Sequence, residues 1–320
     1  MRQSPDDGNG LSPLCQPTIL KLTLLARILT MIAPEDLVGE EWAEWYGLTP
    51  IQRWRESQKL WETYLRLGGS LDPEPDTQSP SSIRTNGVRA LLMGGQACVF
   101  YGAAEFSRDT DFAILATAQN LSRLGKAMDE LQAEVIAVPP FEAKYLRKGH
   151  AVHFRCHHPE ADRMRVDVMT KMRNVDSFSK LWLRRTTISI DPNETCELMS
   201  LADLVQAKKT QRDKDWPMIR RLVEVHYFEN RESADPAQRR FWLMELRTPE
   251  LLIELASIHP NELRRFKRKR LLLGLAQTGN ESALADAILE EERAERRIQP
   301  LSESFERRGS RRVAAGNAKQ

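Results

Sequence analysis

The sequence predicts an α/β (α+β) fold in which a mixed β-sheet forms the core and helical extensions flank it on both sides. Three observations predict it. Short apolar runs alternate with helical stretches in the middle of the chain, the first part carries helix-start signals, and the last part is helix-rich and strongly charged. The last apolar runs lack helices between them, which favours a mixed sheet over a doubly wound parallel one.

Composition divides the chain into three regions. Residues 1–82 are expected to form a helical extension that ends in a linker, where three prolines lie among serines and acids. Residues 83–228 form the predicted α/β domain, and residues 229–320 form a helical, charged region. A domain boundary is therefore expected at the linker.

The first region contains a helix that begins at Thr49-Pro50, because threonine caps a helix and proline fits its first turn. Trp54 and Trp61 lie on one face of it, seven residues apart, and the glycine pair 68–69 ends it. Tryptophans at this spacing favour a packing surface. A partner or lid surface is the alternative.

In the middle region, the apolar pattern places each predicted element. Strands are expected at 88–93, 112–115, 134–138, 151–156 and 164–169, and helices at 96–103, at 118–131 and from Ser200 onward. Asp203 follows Ser200 at the third position, as in a capping box.

Bulk properties exclude several classes of protein. The net charge of +2 selects no partner. The apolar stretch 19–33 is interrupted by Lys21 and Arg27 and is too short to cross a bilayer, so we expect an amphipathic helix and no membrane association. The four cysteines have no close pair or repeated spacing, which argues against a zinc framework or a disulfide scaffold and favours a cytoplasmic location.

Three acids predict a metal site. Asp109 and Asp111 are two residues apart, so on a strand both side chains point to the same side, and their repulsion favours a bound cation. Asp167 lies within an apolar strand, where a lone carboxylate is costly without a charge partner. If the two strands are neighbours, the three carboxylates converge. Magnesium prefers such oxygen ligands.

A glycine pair predicts the other half of the site. Gly94 and Gly95 separate a strand from a helix, and glycines at such a junction let the backbone approach a phosphate closely. A glycine pair alone is weak evidence, since most such pairs are turns. Its weight comes from the acids that follow.

Together these residues resemble the signature of the DNA polymerase beta-like nucleotidyltransferase superfamily. The signature residues are 92–95, a gap of thirteen residues, and 109–112. Ser107 before the acids and Asp167 on a later strand also fit. Further on, the helix at 200–204, with Lys208, Arg212, Lys214 and Asp215 after it, resembles that of the minimal and abortive-infection (toxin-like) nucleotidyltransferases. The resemblance covers residues 84–228.

The resemblance implies a magnesium-dependent transfer of a nucleoside monophosphate from a nucleoside triphosphate, such as ATP, to a hydroxyl, with release of pyrophosphate. Asp109, Asp111 and Asp167 would hold two Mg²⁺ ions, with Mn²⁺ as an alternative, and Asp167 would also help to deprotonate the acceptor. We expect all three carboxyl groups to be open to solvent and within magnesium-bridging distance.

The resemblance also implies a set of nucleotide contacts. The residues involved would be Gly94 and Gly95 around the triphosphate, with Ser107 and Lys208 on its phosphates. Whether Lys208 or Lys209 takes that part is left open. Thr110 departs from the usual apolar residue, but it faces away from the metals.

Several alternatives remain. The acceptor could be an RNA end, a protein side chain or a small hydroxylated molecule, and a toxin-like variant would act on tRNA or a nucleotide pool. In a different class, the domain would be a catalytically inactive nucleotide-binding or partner-binding module. The basic runs 264–270 and 307–312 could contact RNA or another acidic partner. Solvated helix surfaces are the alternative for them.

A cluster of histidines and one cysteine invites a zinc hypothesis. Its members are His150, His153, Cys156, His157 and His158. On a strand the first two histidines face opposite sides, and no second ligand pair follows at a finger-like distance. The sequence therefore favours polar residues at a sheet edge over a zinc site.

Overall fold

The computed structural model describes residues 31–69, 81–107, 109–192, 194–210 and 212–297. Within them, seven strands form one sheet. The strands are β1 (Ala90–Met93), β2 (Asp109–Ile114), β3 (Glu134–Val135), β4 (Val152–Arg155), β5 (Arg165–Met169), β6 (Thr186–Asp191) and β7 (Glu194–Leu198).

Helices precede the sheet, connect its strands and follow it. Those before and between the strands are α1 (Pro34–Val38), α2 (Glu40–Gly47), α3 (Pro50–Arg66), α4 (Ser81–Thr85), α5 (Gly94–Phe100), α6 (Ala118–Glu130), α7 (Ala143–Lys148) and α8 (Phe178–Arg184). Those after them are α9 (Leu201–Lys208), α10 (Asp215–Asn230), α11 (Pro236–Glu245), α12 (Pro249–Ile258), α13 (Pro260–Phe266), α14 (Leu273–Thr278) and α15 (Glu281–Arg296). Two 3₁₀ turns lie at Pro159–Ala161 and Arg231–Ser233.

The sheet is mixed, as the sequence predicts. Its strand order is β3-β4-β5-β2-β1-β7-β6. The β1–β7 and β2–β5 pairs are parallel, and the other four pairs are antiparallel. The predicted fold class, a mixed-sheet α/β core with helical extensions on both sides, is confirmed.

Several predicted boundaries move, and one pair of strands was missed. Strand β2 begins at Asp109 rather than at residue 112, so the acidic triplet lies within the strand, and α5 begins at Gly94 itself. The hairpin β6–β7 had no predicted counterpart, because few of its side chains point into the core. It nevertheless extends the sheet, since β7 pairs with β1 at Leu92 and Leu198.

Helix α3 confirms the predicted cap and the packing interpretation of its tryptophans. The side chains of Thr49 and Gln52 form a reciprocal capping box at its start. Trp54 is buried and stacks on Phe100 of α5, with ring centroids 4.9 Å apart and planes inclined by 7°. Trp61 is buried as well. The N-terminal helices therefore pack directly on the helix that carries the glycine pair.

A buried arginine ties the same regions together. The Arg53 guanidinium donates to the carbonyl oxygens of Trp45, Tyr46 and Phe100, at 3.1, 2.6 and 3.2 Å. It also forms an ion pair with Glu229 of α10, at 2.7 Å. Burying the charge is tolerated because every nitrogen has a partner. One cluster of buried apolar residues likewise includes members of all three regions.

The C-terminal helices contain a second set of buried charges, which we call the arginine–glutamate cluster. Its members are Lys209, Glu245, Arg247, Arg270, Glu291 and Glu295. Arg270 belongs to the predicted basic run 264–270, but it is buried against Glu291 and the Leu243 carbonyl. The run leaves its helix at Phe266. It is therefore not one uniform solvated or RNA-facing surface.

Some predictions fall outside the described residues. They are the basic run 307–312, most of the apolar stretch 19–33, and the linker before residue 81. Within the described ranges, none of the helices combines the length and the apolar character needed to cross a bilayer.

Candidate active site

The sheet brings the three predicted acids side by side. In the parallel β2–β5 pair, Asp111 lies opposite Asp167, and Asp109 lies opposite Arg165. On the other side of β2, Asp111 lies opposite Met93, the last residue of β1. Because opposite residues share a face and residues two apart on a strand also share it, Asp109, Asp111 and Asp167 project from one face of the sheet.

The intervening residue points the other way and has its own partner. Thr110 is fully buried, and its hydroxyl accepts a hydrogen bond of 2.8 Å from the side-chain amide of Gln96. A hydroxyl is therefore accommodated at a position where an apolar residue is commoner, and it takes no part in the acidic face.

The glycine pair makes room for two side chains of the site. Gly94 has a φ of +68°, and a Cβ there would overlap the Asp111 carboxylate. A Cβ on Gly95 would overlap the side chain of Ser107. Both positions therefore require glycine for close approach, and Gly94 requires it for its backbone conformation as well. This requirement explains why glycines and the acidic pair occur together in the sequence.

Asp111 carries uncompensated negative charge. Burial and the neighbouring charges of Asp167 and Asp109 together raise the pKa of its carboxyl to about 7, against the opposing effect of Lys208 and Arg212. Within the described part of the chain, no hydrogen bond or ion pair reaches this carboxylate. Such a group would be stabilised by a nearby cation.

Asp167, in contrast, is held by other residues. Arg165 donates to both of its oxygens, with Nε 2.9 Å from Oδ1 and Nη2 3.1 Å from Oδ2. His153 Nδ1 lies 2.8 Å from Oδ1, and the Asp167 residue is 7% exposed. Accordingly, among the described residues no three His, Cys, Asp or Glu side chains converge on one metal position as they stand. The backbone brings the three acids next to one another, as expected. The carboxyl group of Asp167 is not open, however, because Arg165 and His153 contact it.

A cleft of about 640 Å³ opens beside these acids. Five predicted residues line it: Gly95, Ser107, Asp109, Asp111 and Lys208. Gly94 lies against Asp111, and Asp167 is bound to Arg165, which itself lines the cleft. The cleft also gathers a set of cations, namely Arg165, Lys208, Arg212, Lys214 and Arg221. It therefore combines carboxylates with several positive charges, an arrangement suited to a polyphosphate with divalent cations.

The structure separates the two adjacent lysines. Lys208 lines the cleft, with Nζ 3.4 Å from Asp215 Oδ1. Lys209 points into the arginine–glutamate cluster, where it pairs with Glu245 at 2.8 Å and with Glu295 at 3.2 Å. Of the two candidates, only Lys208 can meet a ligand in the cleft.

Asp215, the first residue of α10, organises the cationic side of the cleft. It is buried, and Thr210 Oγ1 and Arg212 Nε donate to its Oδ2 at 2.5 and 2.9 Å, respectively. Together with Lys208 Nζ, these contacts fix two cations at the rim. Asp215 thus acts through its neighbours rather than on a ligand.

Sequence reasoning missed several residues of the site. His153 was assigned to a polar sheet edge, and that interpretation is wrong, because β4 lies between β3 and β5 and places His153 opposite Asp167. Trp42 and Arg221 also line the cleft, with the guanidinium carbon of Arg221 3.7 Å from the centre of the Trp42 ring. Only the strand register and the packing of the N-terminal helices reveal these neighbours.

An apolar hollow adjoins the cleft. It has a volume of about 170 Å³ and is lined by Leu60, Trp61, Tyr64, Glu105 and Phe106. Glu105 and Phe106 line the cleft as well, and Phe106 is 46% exposed. The mouth of the cleft therefore has an apolar wall on the side of α3.

No protein-family model matches the chain, and no curated protein matches it. The likeness of residues 84–228 to the nucleotidyltransferase signature is therefore a resemblance of sequence motifs.

Proposed function

We propose that this protein is a magnesium-dependent nucleotidyltransferase, which transfers a nucleoside monophosphate from a nucleoside triphosphate to a hydroxyl acceptor and releases pyrophosphate. One observation carries the proposal. The parallel register of β2 and β5 sets the third acid, Asp167, directly beside Asp111 of the acidic pair, at the edge of a cleft rich in cations.

The donor set fits divalent metal ions. Asp109 and Asp111 offer oxygen ligands of the kind that Mg²⁺ prefers, and the raised pKa of Asp111 reflects its burial together with the nearby charge of Asp167, a cost that a bound cation would offset. Asp167 would join them as the third ligand. When bound, the metal ions would neutralise the charge that develops on the transferred phosphoryl group.

The remaining residues would bind and orient the nucleotide. Lys208 and Arg212, held by Asp215, would contact the phosphates, and Gly95 and Ser107 would line the cleft beside them. The cleft volume of about 640 Å³ falls in the range of roughly 300–1,000 Å³ that is usual for small-ligand sites. In this arrangement Asp167 would also accept the proton of the acceptor hydroxyl.

The acceptor is not encoded in the motifs. The apolar hollow beside Phe106 is the natural entrance for it, whether it is an RNA end, a protein side chain or a small molecule. The toxin-like variant of the reaction differs only in this acceptor. We place the reaction in the cytoplasm, which supplies the triphosphate and where the buried, unpaired thiols of Cys98, Cys156 and Cys196 would persist.

The proposal is tested by following the α-phosphate label of each nucleoside triphosphate into cell RNA or protein in the presence of Mg²⁺. We expect transfer by the wild type and a loss of about a thousandfold or more in the double variant Asp109→Ala plus Asp111→Ala, since about 4 kcal/mol of barrier would return. Asp213→Ala is the matched control, because it removes an exposed acid that pairs with Arg296 outside the acidic face.

Two outcomes would contradict the proposal. Transfer that persists in the double variant would exclude the acidic face as the catalytic site. A wild-type protein that binds a triphosphate but transfers no label to any acceptor fraction would favour the inactive binding module instead.

A further inference from the structure

Arg165 is bound to Asp167, which among the three predicted acids is the one whose carboxylate has partners within the described part of the chain. It lies two residues before Asp167 on β5, so both side chains project from the same face, and it lies opposite Asp109 on β2. Its guanidinium is bidentate on Asp167, at 2.9 and 3.1 Å. A metal ion would require the same carboxylate oxygens.

The two partners differ in exposure. The Asp167 side chain is 9% exposed, whereas the Arg165 side chain is 30% exposed and lines the cleft. A guanidinium suits phosphate oxygens as well as it suits a carboxylate, because its planar fork matches both. Arg165 can therefore turn toward a ligand in the cleft, while Asp167 stays on the sheet.

We propose that Arg165 is a positioning residue that exchanges one anion for another. Before substrate binds, it neutralises Asp167 and holds it back from the metal site. When a divalent cation takes Asp167, the guanidinium is displaced toward the cleft and binds the phosphates of the triphosphate. This inference rests on the proposed function, and it makes metal binding and nucleotide binding promote each other.

Charge balance supports the exchange. With Asp167 bound to Arg165, the guanidinium offsets part of the charge of Asp167 and brings a positive charge close to the acidic face. When the cation arrives, the positive charge of Arg165 would repel it unless the guanidinium finds a new anion, and the triphosphate supplies one. The exchange would also keep the metal site from assembling fully before the nucleotide is present.

The first test measures Mn²⁺ affinity of the nucleotide-free protein by electron paramagnetic resonance. In Arg165→Gln, Asp167 loses its bidentate partner, and we expect Mn²⁺ to bind about tenfold more tightly. Lys214→Gln is the matched control, because it removes one positive charge from the same cleft without touching Asp167. For the control we expect a change of less than about threefold, as is usual for exposed charges.

The second test measures the affinity of a non-hydrolysable triphosphate with and without Mn²⁺. In the wild type, Mn²⁺ should strengthen triphosphate binding, and in Arg165→Gln this gain should fall by about threefold or more, because the guanidinium no longer moves onto the phosphates. In Lys214→Gln the gain should stay as in the wild type. Arg165→Lys, whose ammonium can hold one oxygen but not two, should fall between.

The outcomes separate the exchange from the proposed function. If Arg165→Gln and Lys214→Gln change Mn²⁺ affinity equally, or if Arg165→Gln weakens it, the exchange is wrong while the nucleotidyltransferase proposal stands. If the wild type binds neither Mn²⁺ nor triphosphate, the proposed function itself fails. Should Arg165→Gln not fold, His153→Gln provides the second variant, because it removes the other neighbour of Asp167 and should tighten Mn²⁺ binding by a smaller factor.

Discussion

Two groups of buried charge in this protein solve the same physical problem in opposite ways. In the arginine–glutamate cluster, three cations face three glutamates. Burial would raise the pKa of Glu291, but its bonds to Arg270 and the charges of Arg247 and Lys209 hold that pKa below its ordinary value. On the acidic face, the pKa of Asp111 instead rises to about 7.

The difference shows which charges serve the fold and which await a ligand. Removing a charged group from water costs several kcal/mol, and a buried pair recovers this only with good geometry and additional hydrogen bonds. The arginine–glutamate cluster meets most of that condition from within the chain, although the buried Nε of Arg247 has no hydrogen-bond partner among the described residues. Asp111 does not, so the folded protein keeps an electrostatic strain that a cation from solution would relieve.

The comparison predicts that the largest loss of stability follows a substitution in the arginine–glutamate cluster. Arg247→Met would leave Glu291 and Glu295 without a partner that now lies 3.2 and 2.9 Å away. We expect the free energy of unfolding to fall by about 3–5 kcal/mol, measured by urea denaturation. Arg264→Met, at an exposed position, should change it by less than about 0.5 kcal/mol. A loss below about 1 kcal/mol for Arg247→Met would contradict the structural role of the cluster.

For the acidic face, we predict a smaller loss of stability, on substitution of Gly94. Gly94→Ala would place a methyl group in the Asp111 carboxylate and an L side chain at a φ of +68°, so we expect a loss of about 2–4 kcal/mol in thermal or urea denaturation. Gly87→Ala is the matched control, because its φ is +64° and an added Cβ there would come no closer than 4.0 Å to its neighbour, an Arg123 nitrogen. It should lose only about 1 kcal/mol.

Removing the Asp111 carboxyl group should restore part of the stability that Gly94→Ala loses. In Gly94→Ala combined with Asp111→Ala, the overlap with the carboxyl group is removed, while a close contact of 2.8 Å with the Cβ at position 111 and the cost of the backbone conformation, about 1 kcal/mol, remain. If Gly94→Ala and Gly87→Ala lose equal stability, the close approach of Asp111 to Gly94 is not real.

The residues that define this site can be predicted from the sequence better than the residues that surround them. The glycine pair, the acids and Lys208 stand in short local patterns whose chemistry is visible along the chain. Arg165 and His153 meet Asp167 only through the register of three strands, which no local pattern encodes.

Burial explains the remaining differences. The hairpin β6–β7 directs few apolar side chains inward, with Ile188 and Cys196 as two that are buried, so its alternation is weak. Arg270 ends the basic run 264–270, for which the sequence leaves open contact with an acidic partner or a solvated surface, yet the helix ends at Phe266 and Arg270 is buried. A charged residue in the core becomes predictable only when its partner, here Glu291, is known.

The pH dependence of stability should carry the signature of Asp111. Because its pKa is about 7 in the folded protein and 3.8 when unperturbed, the folded state binds the extra proton between these values. Stability contributed by this group is therefore present below about pH 4 and is lost as pH rises to 7. Three pKa units correspond to about 4 kcal/mol, and partial access of water reduces the expected loss to roughly 1–3 kcal/mol.

The measurement compares urea denaturation of the wild type and Asp111→Asn at several pH values. The two should be equally stable near pH 4, and the variant should be more stable at pH 8 by the amount given above. Adding Mg²⁺ at pH 8 should stabilise only the wild type. A difference that does not depend on pH would refute the assigned charge imbalance.

The two adjacent lysines allow the comparison within a single turn of chain, because Lys208 lines the cleft and Lys209 belongs to the arginine–glutamate cluster. Lys209→Met leaves Glu245 and Glu295 short of one partner, but both keep other donors, so we expect a loss of about 1–2 kcal/mol with triphosphate affinity unchanged. Lys208→Met leaves Asp215 with Thr210 and Arg212, so stability should change by less than about 1 kcal/mol. Triphosphate affinity should instead fall by about tenfold, since a buried ammonium on the cleft wall is lost. Stability is measured by urea denaturation and triphosphate affinity by calorimetric titration. If Lys209→Met weakened triphosphate binding and Lys208→Met did not, the roles assigned to the two lysines would be wrong.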